Sequence, residues 1–116
     1  MVSPVPAAVA LARLSAEERG GVETFRDRLR AMFGERLMDL RLFGSKVRGD
    51  FHDESDIDVL VLLDEVDWDT WRAIIDLAYS ISPWLSPAIF GYEEYHAPIN
   101  RAGGFYKEMR RESVRL

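Results

Sequence analysis

The seven residues Ile57-Asp58-Val59-Leu60-Val61-Leu62-Leu63 constrain this chain more than any other stretch. They are β-branched and apolar with one charge, so they read as a central strand covered on both faces. Such a strand obliges the rest of the chain to supply a layer on each side. Met38, Leu40 and Leu42 alternate with Asp39 and Arg41, the period of a half-buried strand ending at Phe43. Residues 85–91 form a third strand, which Pro87, lacking a donor, pushes to an edge or a bulge. Ser15-Ala16-Glu17-Glu18 is a capping box, and Val22, Phe25, Leu29 and Met32 then build the apolar stripe of a helix over 16–33, weakened by Gly20-Gly21. Trp68, Trp71, Ile75, Ala78 and Ile81 or Ser82 trace a second helix, with Asp67 as N-cap and Pro83 as its limit. Residues 104–115 read as a terminal helix. The order helix, strand, strand, helix, strand, helix predicts an α/β (α+β) fold, a small mixed sheet of three to four strands flanked by helices.

A chain of 116 residues allows one compact domain. We expect an extension over 1–14, with Pro4 and Pro6, and a single domain over 15–116. The apolar run 7–12 has no positive charge before it and is not read as a signal peptide. Asp58 and Asp64 interrupt the most hydrophobic segment short of the ~18 residues a membrane span needs, so no membrane partner is expected. The absence of cysteine excludes disulfides, thiolate zinc sites and cysteine nucleophiles, and fits a cytoplasmic setting. Twenty acids against 15 bases give a net charge of -5, which argues against nucleic acid as the main partner.

Two features carry chemistry. Asp56 and Asp58 are two apart at the head of the central strand, so they point to one face with Cα atoms roughly 6–7 Å apart. Paired carboxylates there repel unless a cation lies between them, and hard oxygen donors suit Mg²⁺ or Mn²⁺. Gly44-Ser45 follows the preceding strand, where glycine lets backbone approach a ligand and the next residues open a short helix whose N–H groups face an anion. Lys46 and Arg48 add positive charge within reach of the same place. A nucleoside triphosphate with its metal satisfies both halves.

Gly44-Ser45, ten intervening residues and Asp56-x-Asp58, flanked by Leu42-Phe43 and by Val59-Leu60-Val61, resemble the signature of the minimal nucleotidyltransferases of the DNA polymerase beta-like superfamily. The resemblance covers about 15–91. It implies a palm-like core and transfer of a nucleoside monophosphate, AMP from ATP, with Asp56 and Asp58 holding Mg²⁺ (or Mn²⁺) as the catalytic pair. It further implies that Gly44 and Ser45 grip the β,γ-phosphates while Arg48 and Lys46 offset charge on the departing pyrophosphate. Its implied partner is a small helical HEPN-type protein carrying the acceptor hydroxyl, in a toxin–antitoxin pair. The family's usual third acid, on the strand after the second helix, has no counterpart in Leu85-Ser86-Pro87-Ala88-Ile89-Phe90, and Glu93 or Glu94 just beyond is the nearest substitute. That gap favours one rival, a non-catalytic adaptor that occludes a partner; a second rival is a small-molecule nucleotidyltransferase, for which a chain this short builds an acceptor pocket only as a homo-oligomer.

Other residues carry blander readings. Gly44 to Gly49 half-matches a Walker A loop, but Asp50-Phe51 stand where lysine and serine or threonine are required. His52 and His96 lack partners at metal-ligand spacing. Trp68, Trp71 and Trp84 suggest a base-stacking platform, but the first two share a helical face and read as core or partner-facing, Tyr92 and Tyr95 likewise, and Arg101, Lys107, Arg110, Arg111 and Arg115 read as a solvated helix face rather than one turned to RNA or an acidic partner.

Overall fold

A computed structural model describes residues 7–49 and 55–116. Its elements are α1 (Ala7–Ala12), α2 (Ala16–Phe33), a 3-10 turn (Gly34–Arg36), β1 (Leu37–Phe43), α3 (Ser45–Arg48), β2 (Ile57–Leu63), α4 (Trp68–Ile81), β3 (Leu85–Gly91), α5 (Tyr92–Tyr95), α6 (Pro98–Arg101), α7 (Gly104–Glu112) and β4 (Val114–Arg115). The α/β class and the mixed four-stranded sheet are those expected. The spatial order is β3-β2-β1-β4, with β1 antiparallel to both β2 and β4, and β2 parallel to β3. Pro87 falls on the edge strand, as its missing donor requires.

The helix signals hold at atomic detail. The Glu18 N–H donates to Ser15 Oγ at 3.1 Å while the Ser15 N–H donates to Glu18 Oε1 at 2.9 Å, completing the capping box of α2. The Thr70 N–H donates to Asp67 Oδ1 at 2.8 Å and starts α4. α2 buries Val22, Phe25 and Leu29, and α4 buries Ile74 and Ala78. Both pack on the sheet face of Leu42, Val59, Val61 and Leu63. The opposite face carries Phe43, Leu60 and Leu62, packed against Tyr95, Tyr106 and Met109 from the C-terminal helices. Asp58 lies on this second face, because side chains alternate along β2 and Asp58 is in register with Phe43 and Ser86. β2 is therefore covered on both sides except at its head.

Ahead of Ser15, α1 sends Ala10 into the core, Leu14 after it is buried there too, and Arg13 donates to the Val47 carbonyl. Four expectations need correction. Met38 leaves the buried row, at 49% exposure, because the register slips between Leu37 and Asp39 and the bulge turns it outward. Trp68, at 67% exposure, stacks on Trp71 on the outside of α4, so the buried stripe runs through Ile74 and Ala78 instead. Met32 is also exposed, and the terminal helix stops at Glu112, after which Val114 and Arg115 pair with Leu42 and Arg41. Among the described residues no helix is long and apolar enough to cross a membrane.

Candidate active site

Gly44 joins β1 to α3 with φ 80° and ψ -155°, a conformation that favours glycine strongly. A second reason for glycine is spatial. A Cβ there would stand 2.2 Å from Asp58 Oδ2, 3.1 Å from its Cγ and 3.3 Å from its Cβ, so the Asp58 carboxylate lies directly against the Gly44 backbone. Gly44 and Asp58, fourteen residues apart in the chain, are thus one local unit. The following turn is short and tight: the Val47 and Arg48 N–H groups both donate to the Gly44 carbonyl at 3.1 Å, and left-handed Gly49 (φ 88°) closes it with a 2.8 Å bond to the Ser45 carbonyl. Ser45 sits half-buried at its start.

Asp56 immediately precedes β2 and is exposed, whereas Asp58 is half-buried. Burial raises the Asp58 carboxyl above the usual range; the negative charges of Asp56 and Glu108 push the same way, and Arg48 opposes them. The pair is a set of hard oxygen donors under mutual repulsion, which a divalent cation would relieve, so these residues fit Mg²⁺ or Mn²⁺. Among the described residues no three His, Cys, Asp or Glu side chains gather closely enough to hold a metal ion.

The structure brings Gly44, Ser45, Asp56 and Asp58 to one end of the sheet and pairs each of the two neighbouring cations of α3 with carboxylates. Lys46 is 1% exposed, and its Nζ pairs with Glu18 Oε2 at 2.7 Å, between α3 and α2. This ammonium neutralises a carboxylate on the helix side of the sheet. Together with Trp84, Ile57 and Leu85 it lines a cavity of about 640 Å³ there. Arg48 stays at the surface, where its Nη1 meets Glu108 Oε1 at 3.1 Å and Glu112 Oε2 at 3.6 Å on α7.

β3 supplies no third acid; Ser86 is the residue beside Asp58. Glu93 and Glu94 do not replace it. They line a cavity with Asp64 and Gly91 at the far end of the sheet, where Gly91 pairs with Leu63, about 16 Å along β2 from Asp58. Glu108, which sequence reasoning passed over as part of a solvated basic helix, is the additional acid whose charge reaches Asp58. Nothing in the local pattern announced it, since only the packing of α7 across the second sheet face brings it there. His96 Nδ1 lies 3.0 Å from Tyr106 Oη and its ring packs on Tyr92, a structural role. His52 lies outside the described residues, as do Asp50 and Phe51.

The family model for the nucleotidyltransferase domain matches residues 22–94. The chain belongs to this nucleotidyltransferase family. The match runs from the body of α2 through both carboxylates to the start of α5, so Gly44, Ser45, Asp56 and Asp58 all fall within it. A protein of Methanocaldococcus jannaschii named "Putative protein adenylyltransferase" is 40% identical over 60 residues, 52% of this chain and 56% of that protein. The chain thus spans about half the length of that relative. A solved structure described as a "putative nucleotidyltransferase" from Sulfolobus solfataricus superposes with a TM-score of 0.54 at 21% identity, covering 76% of each chain, which supports the fold. α7 lies beyond the matched family region, which is why Glu108 belongs to no motif.

Proposed function

We propose that this nucleotidyltransferase is a Mg²⁺-dependent adenylyltransferase that moves AMP from ATP to a hydroxyl of a partner protein. The observation that carries the reading is the contact of the Asp58 carboxylate with the Cβ-less backbone of Gly44, which couples the phosphate-side turn to the carboxylate pair. In the transfer, the acceptor hydroxyl gives its proton to solvent and its oxygen bonds to the α-phosphorus, while the bond from that phosphorus to the oxygen bridging to Pβ breaks and pyrophosphate leaves. Asp56 and Asp58 would hold Mg²⁺, which supplies charge neutralisation on the reacting phosphate when bound. Ser45 and the Gly44 backbone seat the β,γ-phosphates, and Arg48 offsets charge on the leaving pyrophosphate.

A protein acceptor is supported by the name of the Methanocaldococcus jannaschii relative. The resemblance of the Gly-Ser to Asp-x-Asp block further supports a small helical HEPN-type partner, with this chain as the antitoxin. The absence of a carboxylate at Ser86 favours one second reading, an adaptor that neutralises a partner by covering it.

The test adds the purified protein, Mg²⁺ and ATP labelled on the α-phosphate to a lysate of its host, beside an Asp56→Asn/Asp58→Asn control. Label on a discrete protein with wild type alone supports transfer and hands over the acceptor for mass spectrometry. No label from any of the four nucleoside triphosphates, with a partner still co-purifying, transfers the lead to the adaptor.

A further inference from the structure

The inference below rests on the nucleotidyl-transfer reading and deepens it. α7 crosses the sheet face that carries Asp58. Phe105 stands edge-on to Phe43 at 5.6 Å, and Phe43 is the register partner of Asp58. Further along the same stripe, at spacings of three and four, come Glu108 and Glu112. Both reach one guanidinium nitrogen, Arg48 Nη1, at 3.1 and 3.6 Å. Arg48 leaves from α3, just after Gly44 and Ser45, so a side chain delivered by the β1–α3 turn is gripped by a helix sixty residues further on.

Three roles for that grip compete. A metal-ligand role would need Glu108 to join Asp56 and Asp58, and among the described residues no such group of three gathers. A clamp for stability is a poor use of partly exposed ion pairs, which contribute little. The third role uses what two carboxylates on one nitrogen do well: they remove rotamer freedom from a long side chain before its ligand arrives. The charges of Glu108 and Arg48 both act on Asp58, the first raising its carboxyl and the second lowering it.

We infer that Glu108 and Glu112 are positioning residues that hold the Arg48 guanidinium for the polyphosphate of the nucleotide, which makes α7 part of the nucleotide seat. The arriving phosphates meet an ordered guanidinium, and affinity depends on the α7 carboxylates only through Arg48.

Calorimetric titration of the full chain with Mg²⁺ and α,β-methylene ATP tests this, with thermal melts to show that each variant is folded. Glu108→Ala/Glu112→Ala weakens binding about five- to tenfold, and Arg48→Ala weakens it at least as much. The triple variant binds no more weakly than Arg48→Ala, and Glu108→Gln/Glu112→Ala, which restores an acceptor, recovers most of the loss. If the paired alanine variant does not fold, Glu108→Gln alone carries the test with about a twofold loss that disappears in the Arg48→Ala background. Unchanged or tighter binding in the carboxylate variants overturns the inference, because the carboxylates then repel phosphate more than they order Arg48. Additive losses in the triple variant overturn it as well. Failure of folded wild type to bind the analogue sinks the nucleotidyl-transfer reading itself, an outcome separate from wild-type binding that the carboxylates do not affect.

Discussion

Gly44→Ala isolates the unit on which the site depends. Two costs arise together. The backbone at φ 80°, ψ -155° lies in a region closed to residues with a Cβ, which costs on the order of 1–3 kcal/mol. The new methyl also meets Asp58 at three atoms; rotation of the carboxylate relieves the 2.2 Å contact with Oδ2, but not the 3.3 Å contact with Asp58 Cβ, so overpacking adds about 1–2 kcal/mol. Urea unfolding should therefore show a total loss of about 2–5 kcal/mol, and α-labelled transfer should fall by more than the folded fraction explains, since Asp58 is displaced. The decisive assay is a double-mutant cycle with Asp58→Gly, which removes all three atoms the new methyl meets, Cβ included, and leaves the Gly44→Ala backbone strain. A coupling of about 1–2 kcal/mol is expected. Strict additivity, or a Gly44→Ala protein within 0.5 kcal/mol of wild type, refutes the reasoning.

Asp58→Asn should abolish nucleotidyl transfer while leaving the fold at least as stable at pH 7, by up to about 1 kcal/mol, because a neutral amide escapes the burial and repulsion that raise the Asp58 carboxyl. That advantage should shrink as pH falls: the native state holds the Asp58 proton more tightly than the unfolded chain does, so wild type gains on the variant through the window above the ordinary carboxylate value of 3.8, as paired melts would show. Burial pulls the Glu18 carboxyl upward, yet the bonds from Lys46 and Ser15 outweigh it and hold it below its usual 4.5. Its contribution is therefore present above pH 4.5 and lost as pH falls below that value, and Lys46→Met should shrink that loss, the Ser15 bonds remaining, and cost about 2–3 kcal/mol of stability at pH 7. Trp68→Ala should change stability by less than about 1 kcal/mol in urea unfolding, its ring being mostly in solvent and stacked only on Trp71.

What was legible in this sequence was what local periodicity and local chemistry encode. The strand Ile57–Leu63, the Ser15 and Asp67 caps and the edge position of Pro87 each follow from a rule that acts within a few residues. The alternation of β2 likewise accounts for Asp58 on the second face, with Asp56 just ahead of the strand and its charge acting on Asp58. Cation placement was not legible. Lys46 and Arg48 are two residues apart on a single turn of α3, and nothing local says that one is swallowed by the α2 side while the other is taken by α7. Each long side chain pairs with the carboxylate that tertiary packing brings within reach, and a buried ammonium must be paired. The same argument explains the missed N-terminal helix and the missed Glu108: Ala10 has a place only once α3 and β1 exist, and Glu108 acquires a role only when α7 lies over Phe43. The site accordingly has two origins, a carboxylate and glycine frame written in one contiguous block, and a cation whose orientation is set by a helix outside that block.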